Sequence, residues 1–269
     1  PQHHAGLARR AAQLTAWAAA QRPRALVVDV SVEVTMLARL CGVPCVVVAM
    51  PGLRDDRPHQ LAYDTADALL APWPRGAHDL NWPDHWMDKA WFVGGISRFD
   101  DRETQPASVH ATADRSGGRT VLLLWGAGGR STTGAEVRAA QDATPGWTWL
   151  ERSPAADGSG GLWEDLQRAD VVVSHAGQNA VAEIAAARRP AVIVAQPRPH
   201  AEQESTARRV DDWRIAVGRG SWPDADAWPG LLELALARGG GGWSRWSDGS
   251  GARHAADHLT RLTATPAGP

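Results

Sequence analysis

The sequence has little of several residue types, and each shortage argues against a class of protein. Two cysteines in 269 residues are too few for a disulfide-stapled scaffold. No apolar run approaches the roughly 18–20 residues that a membrane-spanning helix needs, which predicts a soluble, cytoplasmic protein. A formal net charge of −2 argues against a protein that holds nucleic acid by bulk electrostatics. The chain begins at Pro1 with a polar, histidine-bearing stretch rather than a signal peptide.

Lysine, tyrosine and phenylalanine are scarce, whereas tryptophan is abundant. Lys89 is the only lysine, and 14 tryptophans stand against one tyrosine and two phenylalanines. Most tryptophans are expected to be packing groups, with a minority available to stack on a nucleobase or a sugar ring. With 43% hydrophobic and 22% charged residues, the chain can build a core. Its length fits one large domain or two ordinary ones.

Strand-like and helix-like segments alternate along the chain, with one interruption. Residues 25–30 form a nearly continuous apolar run, which is typical of a strand buried on both faces. Residues 94–118 lose all periodicity and indicate a linker. The alternation predicts parallel sheets with helices on both faces, in two successive units. The predicted strands are 25–30, 45–50, 68–71, 91–93, 120–125, 147–150, 171–173, 191–195 and 214–217. The predicted helices are 5–21, 31–41, 59–67, 134–143, 161–168, 178–187, 201–211, 224–237 and 250–263.

Three predicted strand ends in the second unit carry unusual chemistry, and ligands of open parallel sheets bind beyond such ends. The first is the small-residue run 126–129, followed by Arg130 and Ser131. Its glycines (Gly126, Gly128 and Gly129) allow a phosphate or a sugar to approach bare backbone N–H groups. A plain strand-to-helix turn explains the same run equally well.

The second strand end is Ser174-His175-Ala176-Gly177-Gln178-Asn179, which leads directly into a predicted helix. A helix N-terminus suits a phosphate, and His175 and Asn179 can add donors. Glu183 lies one turn beyond Asn179 and can accept two bonds from a ribose diol. The alternative is that Ser174 and Asn179 are helix caps and Glu183 is a solvated charge.

The third strand end is the segment 196–203. Pro197 and Pro199 precede His200, Glu202 and Gln203 in it. A carboxylate beside an amide offers both acceptors and donors to vicinal sugar hydroxyls. A first-turn glutamate that interacts with the helix dipole is the alternative.

Taken in order, these residues resemble the donor-binding signature of GT-B glycosyltransferases, the group that includes plant, macrolide and MurG-type enzymes. The matching pattern is His175-x-Gly177-x-Asn179-x-x-x-Glu183, then Pro190, Pro197 and Ala201-Glu202-Gln203. The resemblance covers residues 118–220 well and residues 20–95 only as general architecture. It implies an α/β fold of two Rossmann-like parallel-sheet domains, of which the first lacks its opening strands. The implied parts are residues 1–95 on the acceptor side, a linker at 96–117, a nucleotide-sugar domain at 118–242, and a C-terminal helix and tail at 243–269.

The resemblance also implies a site and a reaction. The residues implied to bind the nucleotide and its diphosphate are Gly126, Gly128, Gly129, Arg130, Ser174, His175, Gly177, Gln178, Asn179 and Glu183. Those implied to bind the donor sugar are His200, Glu202 and Gln203. The implied reaction moves a sugar from a UDP- or TDP-type donor to a small-molecule or lipid-linked acceptor, with no metal and no cofactor.

Some positions depart from the pattern. Ala180 replaces a small hydroxyl residue, and Arg189 replaces a glycine before the proline. The base-stacking aromatic residue is one of Trp147, Trp149 and Trp163, or none of them.

The resemblance does not assign the general base. The family usually keeps a histidine on an early loop that has no counterpart here. Asp29 and His59 are the candidates. Asp224-Ala225-Asp226 is expected to cap a helix rather than bind a metal, and Cys41 and Cys45 are expected to be buried thiols. Two alternative functions remain open: a nucleotide-sugar 2-epimerase and a non-catalytic nucleotide-sugar-binding protein.

Overall fold

The structure is a computed structural model that describes residues 4–77, 82–103, 118–126, 128–153 and 161–264. Most of the linker predicted at 96–117 lies outside the described residues, as do residues 1–3 and Ala127 of the glycine-rich loop.

The first unit is a parallel sheet of four described strands in the order β1-β2-β3-β4. The strands are β1 Leu26–Asp29, β2 Cys45–Val48, β3 Ala68–Ala71 and β4 Ala90–Phe92. The accompanying helices are α1 Ala5–Gln21, α2 Val32–Leu40, α3 Arg57–Thr65 and the short α4 Asp84–Met87. Local sequence explains two helix starts. Ser31 accepts the Val34 N–H at 3.3 Å and caps α2, and Asp56 accepts the His59 N–H at 3.2 Å and caps α3.

The second unit is a parallel sheet of five described strands in the order β6-β5-β7-β8-β9. The strands are β5 Arg119–Leu124, β6 Trp147–Arg152, β7 Val171–His175, β8 Ala191–Val194 and β9 Val217–Arg219. The helices are α5 Gly134–Asp142, α6 Leu162–Arg168, α7 Gln178–Ala187, α8 Glu202–Asp212, α9 Trp228–Arg238 and α10 Gly251–Ala264, with 3₁₀ turns at Pro199–Ala201, Ala225–Ala227 and Gly241–Arg245. The prediction of two parallel-sheet units is confirmed.

Most element boundaries agree with the sequence to within a few residues, and α7 coincides with its prediction. The last strand was predicted at 214–217 and instead occupies Val217–Arg219. The reason is a turn after α8, in which Arg214 has a φ of 54° and donates its N–H to the Asp211 carbonyl at 2.8 Å. Helix α4 was not predicted, because four residues carry too little periodicity to identify a helix.

Both units contribute to one hydrophobic core. A continuous cluster includes Val28 and Leu69 of the first unit, Val172 and Ile184 of the second, and the fully buried Trp243. Helix α10 packs back onto the first sheet, where Ala255 and Leu259 meet residues of β2 and β3. None of the described helices combines the length and the apolar character that crossing a bilayer demands.

Candidate functional site

A cavity of about 670 Å³ lies where the carboxyl ends of the two sheets meet. Asp29 ends β1 and Met50 follows β2, while Gly126, His175 and Gln196 lie at or just beyond the ends of β5, β7 and β8. The structure brings most of the predicted site residues to this cavity: Asp29, His59, Gly126, Gly128, Gly129, His175, Gly177, Gln178, Asn179, His200, Glu202 and Gln203. Three predicted residues, Arg130, Ser174 and Glu183, are not among the described residues that line it.

The N-terminus of α7 faces this cavity without a side-chain cap. Gly177 occupies the capping position, and it has no side chain with which to bond the first amides of the helix. Such a terminus carries about half a positive charge, so it attracts an anion. Beside it, the side-chain nitrogen of Gln178 is buried and has no hydrogen-bond partner among the described residues. A buried donor without a partner is uncommon in folded proteins.

His175 presents one ring nitrogen to the protein and keeps the other unpaired. Its Nδ1 lies 3.2 Å from the Val194 carbonyl oxygen, which can only accept, so the proton lies on Nδ1. The Nε2 atom is buried and has no partner in the described part of the chain. Burial lowers the pKa of His175, the bond to Val194 opposes that effect, and the Arg198 charge reinforces it. The free protein therefore holds a neutral imidazole whose Nε2 accepts rather than donates.

Ser174 and Arg130 are engaged away from the cavity. The Ser174 hydroxyl donates to the Leu124 carbonyl at 2.8 Å and ties β7 to β5. Arg130 donates to a Glu151 carboxylate oxygen at 2.7 Å, and its guanidinium lies 5.2 Å from the Trp125 ring centroid. Both side chains thus have polar or aromatic partners within the second unit.

Two cavity-lining arginines were not identified from the sequence. Arg198 contacts the Gly128 carbonyl, and a Cβ on Gly128 would stand 2.7 Å from its Nη2 atom. Arg54 is 3% exposed and lies on the other wall. Arg198 follows the carboxyl end of β8, and this position was the signal that could have revealed it. Arg54 lies in a loop of the first unit, where no motif pointed to it.

The predicted sugar-binding pair is held by both units. Arg54 donates to Glu202 Oε2 at 3.2 Å, which links the first unit to the start of α8. Gln203 Oε1 accepts the backbone N–H of Gln196 at 3.1 Å. The side-chain amide nitrogen of Gln196 donates to the Gly129 carbonyl at 3.2 Å. This network fixes the loop after β8 against the glycine-rich loop after β5.

His59 lies on the first-unit wall, and Asp56 orients it. The His59 Nδ1 atom is 2.7 Å from Asp56 Oδ2, so the carboxylate accepts from Nδ1, and in the neutral ring this bond favours the tautomer with its lone pair on Nε2. Desolvation raises the pKa of Asp56, but the hydrogen bonds from His59 together with the charges of His59 and His200 lower it below its ordinary value. Asp29, the other predicted candidate, is followed by Val30, whose φ of 61° is unusual for a β-branched residue.

The comparisons with known proteins agree with this architecture. Residues 162–216 match the model of the Glycosyltransferase family 28 C-terminal domain. The structure of the glycotransferase of kitacinnamycin is 18% identical with a TM-score of 0.65, over 95% of this chain and 80% of that one. MurG of Acinetobacter baumannii is 14% identical with a TM-score of 0.63, over 95% and 78%. A Listeria monocytogenes protein assigned as a UDP-N-acetylglucosamine 2-epimerase is 11% identical with a TM-score of 0.60, over 96% and 80%. No curated protein matches the chain.

The fold is of the GT-B type, and residues 162–216 are similar to the family 28 C-terminal domain. The resemblance found in the sequence is thereby confirmed, and the family match together with the fold supports a glycosyltransferase. The matched segment runs from the start of α6 to just before β9, so it contains the His175 motif and the Glu202-Gln203 pair.

Glu183 of the GT-B motif is bonded to a residue of the first unit's last described segment. Arg98 Nε donates to Glu183 Oε1 at 2.8 Å, and the Glu183 side chain is only 14% exposed. Burial raises the pKa of Glu183, and the Arg98 charge and hydrogen bond offset part of that rise. Ribose recognition by Glu183 therefore stays a prediction, and it requires Arg98 to share or release the carboxylate.

The remaining sequence expectations concern tryptophans, an Asp-x-Asp and two thiols. Trp147, Trp149 and Trp163 are absent from the described cavity lining, and Trp163 packs on Phe99 with ring centroids 5.2 Å apart.

The expected cap at Asp224 is wrong in detail, because its side chain makes no cap bond among the described residues. Cys45 is buried as expected, and burial raises its thiol pKa to about 11, whereas Cys41 is exposed at the end of α2.

Proposed function

We propose that the protein transfers a sugar from a UDP- or TDP-type nucleotide sugar to a small-molecule or lipid-linked acceptor. The observation that carries the proposal is the N-terminus of α7, which has no side-chain cap and meets the cavity at Gly177, Gln178 and Asn179. His175 and Arg198 line the same cavity, and a helix N-terminus beside such groups suits a phosphate. A cytoplasmic location is part of the proposal, because the exposed thiol of Cys41 suits a reducing compartment.

The donor diphosphate is proposed to bind at the start of α7. The helix amides, the side chains of Gln178 and Asn179, and a protonated His175 would all donate to its oxygens. Arg198 adds a positive charge from the facing loop. These groups would stabilise the charge that develops on the leaving nucleoside diphosphate, which is the part of the reaction that needs most electrostatic help.

The donor sugar is proposed to bind beside Glu202, Gln203 and His200. Arg54 donates to one carboxylate oxygen of Glu202, and the backbone N–H of Gln196 donates to the side-chain oxygen of Gln203. The other Glu202 oxygen and the Gln203 amide nitrogen remain for sugar hydroxyls. Because both residues are already held by neighbours, they would position the anomeric carbon without loss of much side-chain freedom.

His59 is the proposed general base for the acceptor hydroxyl. Asp56 fixes its Nδ1 proton and orients the ring, so Nε2 is the atom that would take up the acceptor proton. Asp29 lines the same cavity and is proposed to contact the acceptor rather than to act as the base.

A nucleotide-sugar 2-epimerase is the second candidate, and the fold similarity to the Listeria monocytogenes protein favours it. Such an enzyme needs acid–base groups at C2 and C3 of the sugar. Arg54 already occupies one oxygen of Glu202, so only the other oxygen of that carboxylate is left to reach the sugar.

Incubation with labelled UDP- and TDP-sugars tests the proposal. Release of nucleoside diphosphate with transfer or hydrolysis of the sugar supports glycosyl transfer. A sugar with changed configuration and an intact donor supports the epimerase. Binding without turnover, measured by calorimetry, supports a non-catalytic binding protein and overturns the proposed reaction. In the first case, His59→Gln should bind the donor normally and lose transfer.

A further inference from the structure

Three potential metal ligands from both units meet at one point in the cleft. Asp56 and His59 belong to the start of α3, and His200 belongs to the 3₁₀ turn before α8. One ligand atom from each of the three lies within 4.8 Å of the others. His59 and His200 pack edge to face, with ring centroids 4.8 Å apart. Asp64 and His85 form another pair on the first unit, at 2.8 Å, but they are not part of a described three-ligand group.

The spacing of these atoms suits a small tetrahedral ion. Asp56 Oδ2 is 2.7 Å from His59 Nδ1 and 3.6 Å from His200 Nδ1. A tetrahedral zinc site with bonds near 2.1 Å has ligand atoms about 3.4 Å apart, so small side-chain rotations bring the three into range. Two imidazoles and one carboxylate, with a fourth position open to solvent, form a common donor set for zinc and related ions.

The backbone of the turn that carries His200 is strained. His200 has a φ of 64° and Ala201 a φ of 52°, and neither is a glycine. The Leu53 N–H holds this turn by donating to the His200 carbonyl at 2.7 Å. Strain of this kind persists where the surrounding structure over-determines it, and it concentrates at binding sites.

We propose that Asp56, His59 and His200 bind a divalent transition-metal ion of the zinc type, which joins the two units across the cleft. The site is distinct from the diphosphate site at α7, since it uses none of the same residues. If the proposed function holds, the ion also inhibits transfer. A metal on Nδ1 of His59 keeps the ring proton on Nε2, and the ring then no longer accepts a proton from the acceptor.

Zinc titration of the full chain tests this site without any donor or acceptor. Calorimetry and competition against a chromogenic chelator should give one saturable ion per chain that depends on the three ligands. Asp56→Asn, His59→Gln and His200→Gln should each weaken this binding by at least about 10–100-fold. Cobalt(II) should give a visible absorption band typical of a tetrahedral site in the parent and in none of the three variants.

The matched control is His85→Gln, which removes a histidine that is paired with one carboxylate only, and it should bind zinc as the parent does. Near-ultraviolet dichroism of the tryptophans checks that each variant is folded. The proposal is overturned if the parent has no saturable site, or if the three variants bind zinc as tightly as the parent. Because no sugar is present, zinc binding and sugar transfer can fail independently of each other.

Discussion

At the scale of single residues, one hydrogen bond decides what His175 can offer a ligand. Its Nδ1 proton is committed to the Val194 carbonyl, and burial keeps the ring neutral. The sequence motif suggested a donor to phosphate at this position. The structure makes Nε2 an acceptor until the ring gains a second proton, so phosphate binding and protonation are coupled.

We expect donor binding at His175 to weaken as the pH rises. The pKa of the free ring is lowered, and a bound diphosphate raises it, so binding takes up a proton. Protonation of His175 makes its full contribution to donor affinity below the pKa that the His175 ring has in the free protein. This contribution is lost as the pH rises through the pKa that the ring has in the complex. In between, affinity should fall by up to about tenfold per pH unit. Calorimetry with a UDP-sugar measures this, because its diphosphate does not titrate near neutral pH.

The control for this pH dependence is His175→Gln. That variant should bind the UDP-sugar more weakly at low pH and show a flatter profile. A parent profile as flat as that of the variant would contradict the coupling.

Glu183 gives a second prediction at the residue scale. If it binds the ribose hydroxyls, Glu183→Ala should weaken UDP binding by roughly 1.5–3 kcal/mol, since a charged acceptor is lost. The Arg98 partner supplies the control. Arg98→Ala removes the same ion pair but keeps the carboxylate, so it should bind UDP at least as tightly as the parent. Equal losses in the two variants, or no loss in Glu183→Ala, would show that the ribose assignment is wrong.

At the scale of elements, the close contact between β9 and α8 depends on a glycine. A Cβ on Gly218 would lie 1.9 Å from the Ala207 carbonyl oxygen and 2.8 Å from its carbonyl carbon. Both obstacles are backbone atoms of a helix, so no side chain can rotate away to make room. Strand β9 is the edge of the second sheet, and this contact anchors α8, which begins with Glu202 and Gln203.

We therefore expect Gly218→Ala to lower the free energy of unfolding by about 3 kcal/mol, at the upper end of the range for overpacked sites. Gly220→Ala is the control, because no described atom lies within 4 Å of the Cβ it would add. That variant should stay within about 0.5 kcal/mol of the parent. Urea denaturation midpoints compare the two. Similar midpoints for both variants would refute the argument from close approach.

At the scale of the whole molecule, two loops hold the cleft in its shape. The loop after β2 meets the loop after β8 through the Leu53–His200 backbone bond and the Arg54–Glu202 ion pair. Gly52 permits this approach, because a Cβ there would lie 2.2 Å from the His200 carbonyl oxygen. The relative position of the two units at the cavity thus depends on one residue without a side chain.

Gly52→Ala should therefore reduce donor affinity and turnover, whereas Gly42→Ala should not. Both glycines have a positive φ, of 92° and 69°, so both variants incur a similar backbone penalty of about 1–2 kcal/mol. Only Gly52→Ala also displaces the facing loop, since no described atom lies within 4 Å of a Cβ at Gly42. A shift of about 1 Å can cost about 100-fold in rate. Calorimetry and kcat/KM for a UDP-sugar measure the effect. Equal affinities and rates in the two variants would contradict it.

The sequence by itself determined the architecture and most of the cavity lining. Apolar runs and caps are local properties, so β1, α2 and α7 could be predicted from their own residues. The order of small and polar residues after the strands then predicted which ends bear the site, because parallel strands bring their carboxyl ends to one edge.

Only the tertiary structure decided which of those polar groups are free to meet a ligand. Ser174, Arg130 and Glu183 lie in or near the motif, yet their polar atoms bond Leu124, Glu151 and Arg98. No sequence signal pointed to Arg54, or to the approach of Asp56 and His59 to His200. The partners of these residues are far away along the chain. Hydrophobic periodicity reports the burial of an element, whereas the partner of a polar side chain depends on which distant segments the fold brings within about 3 Å.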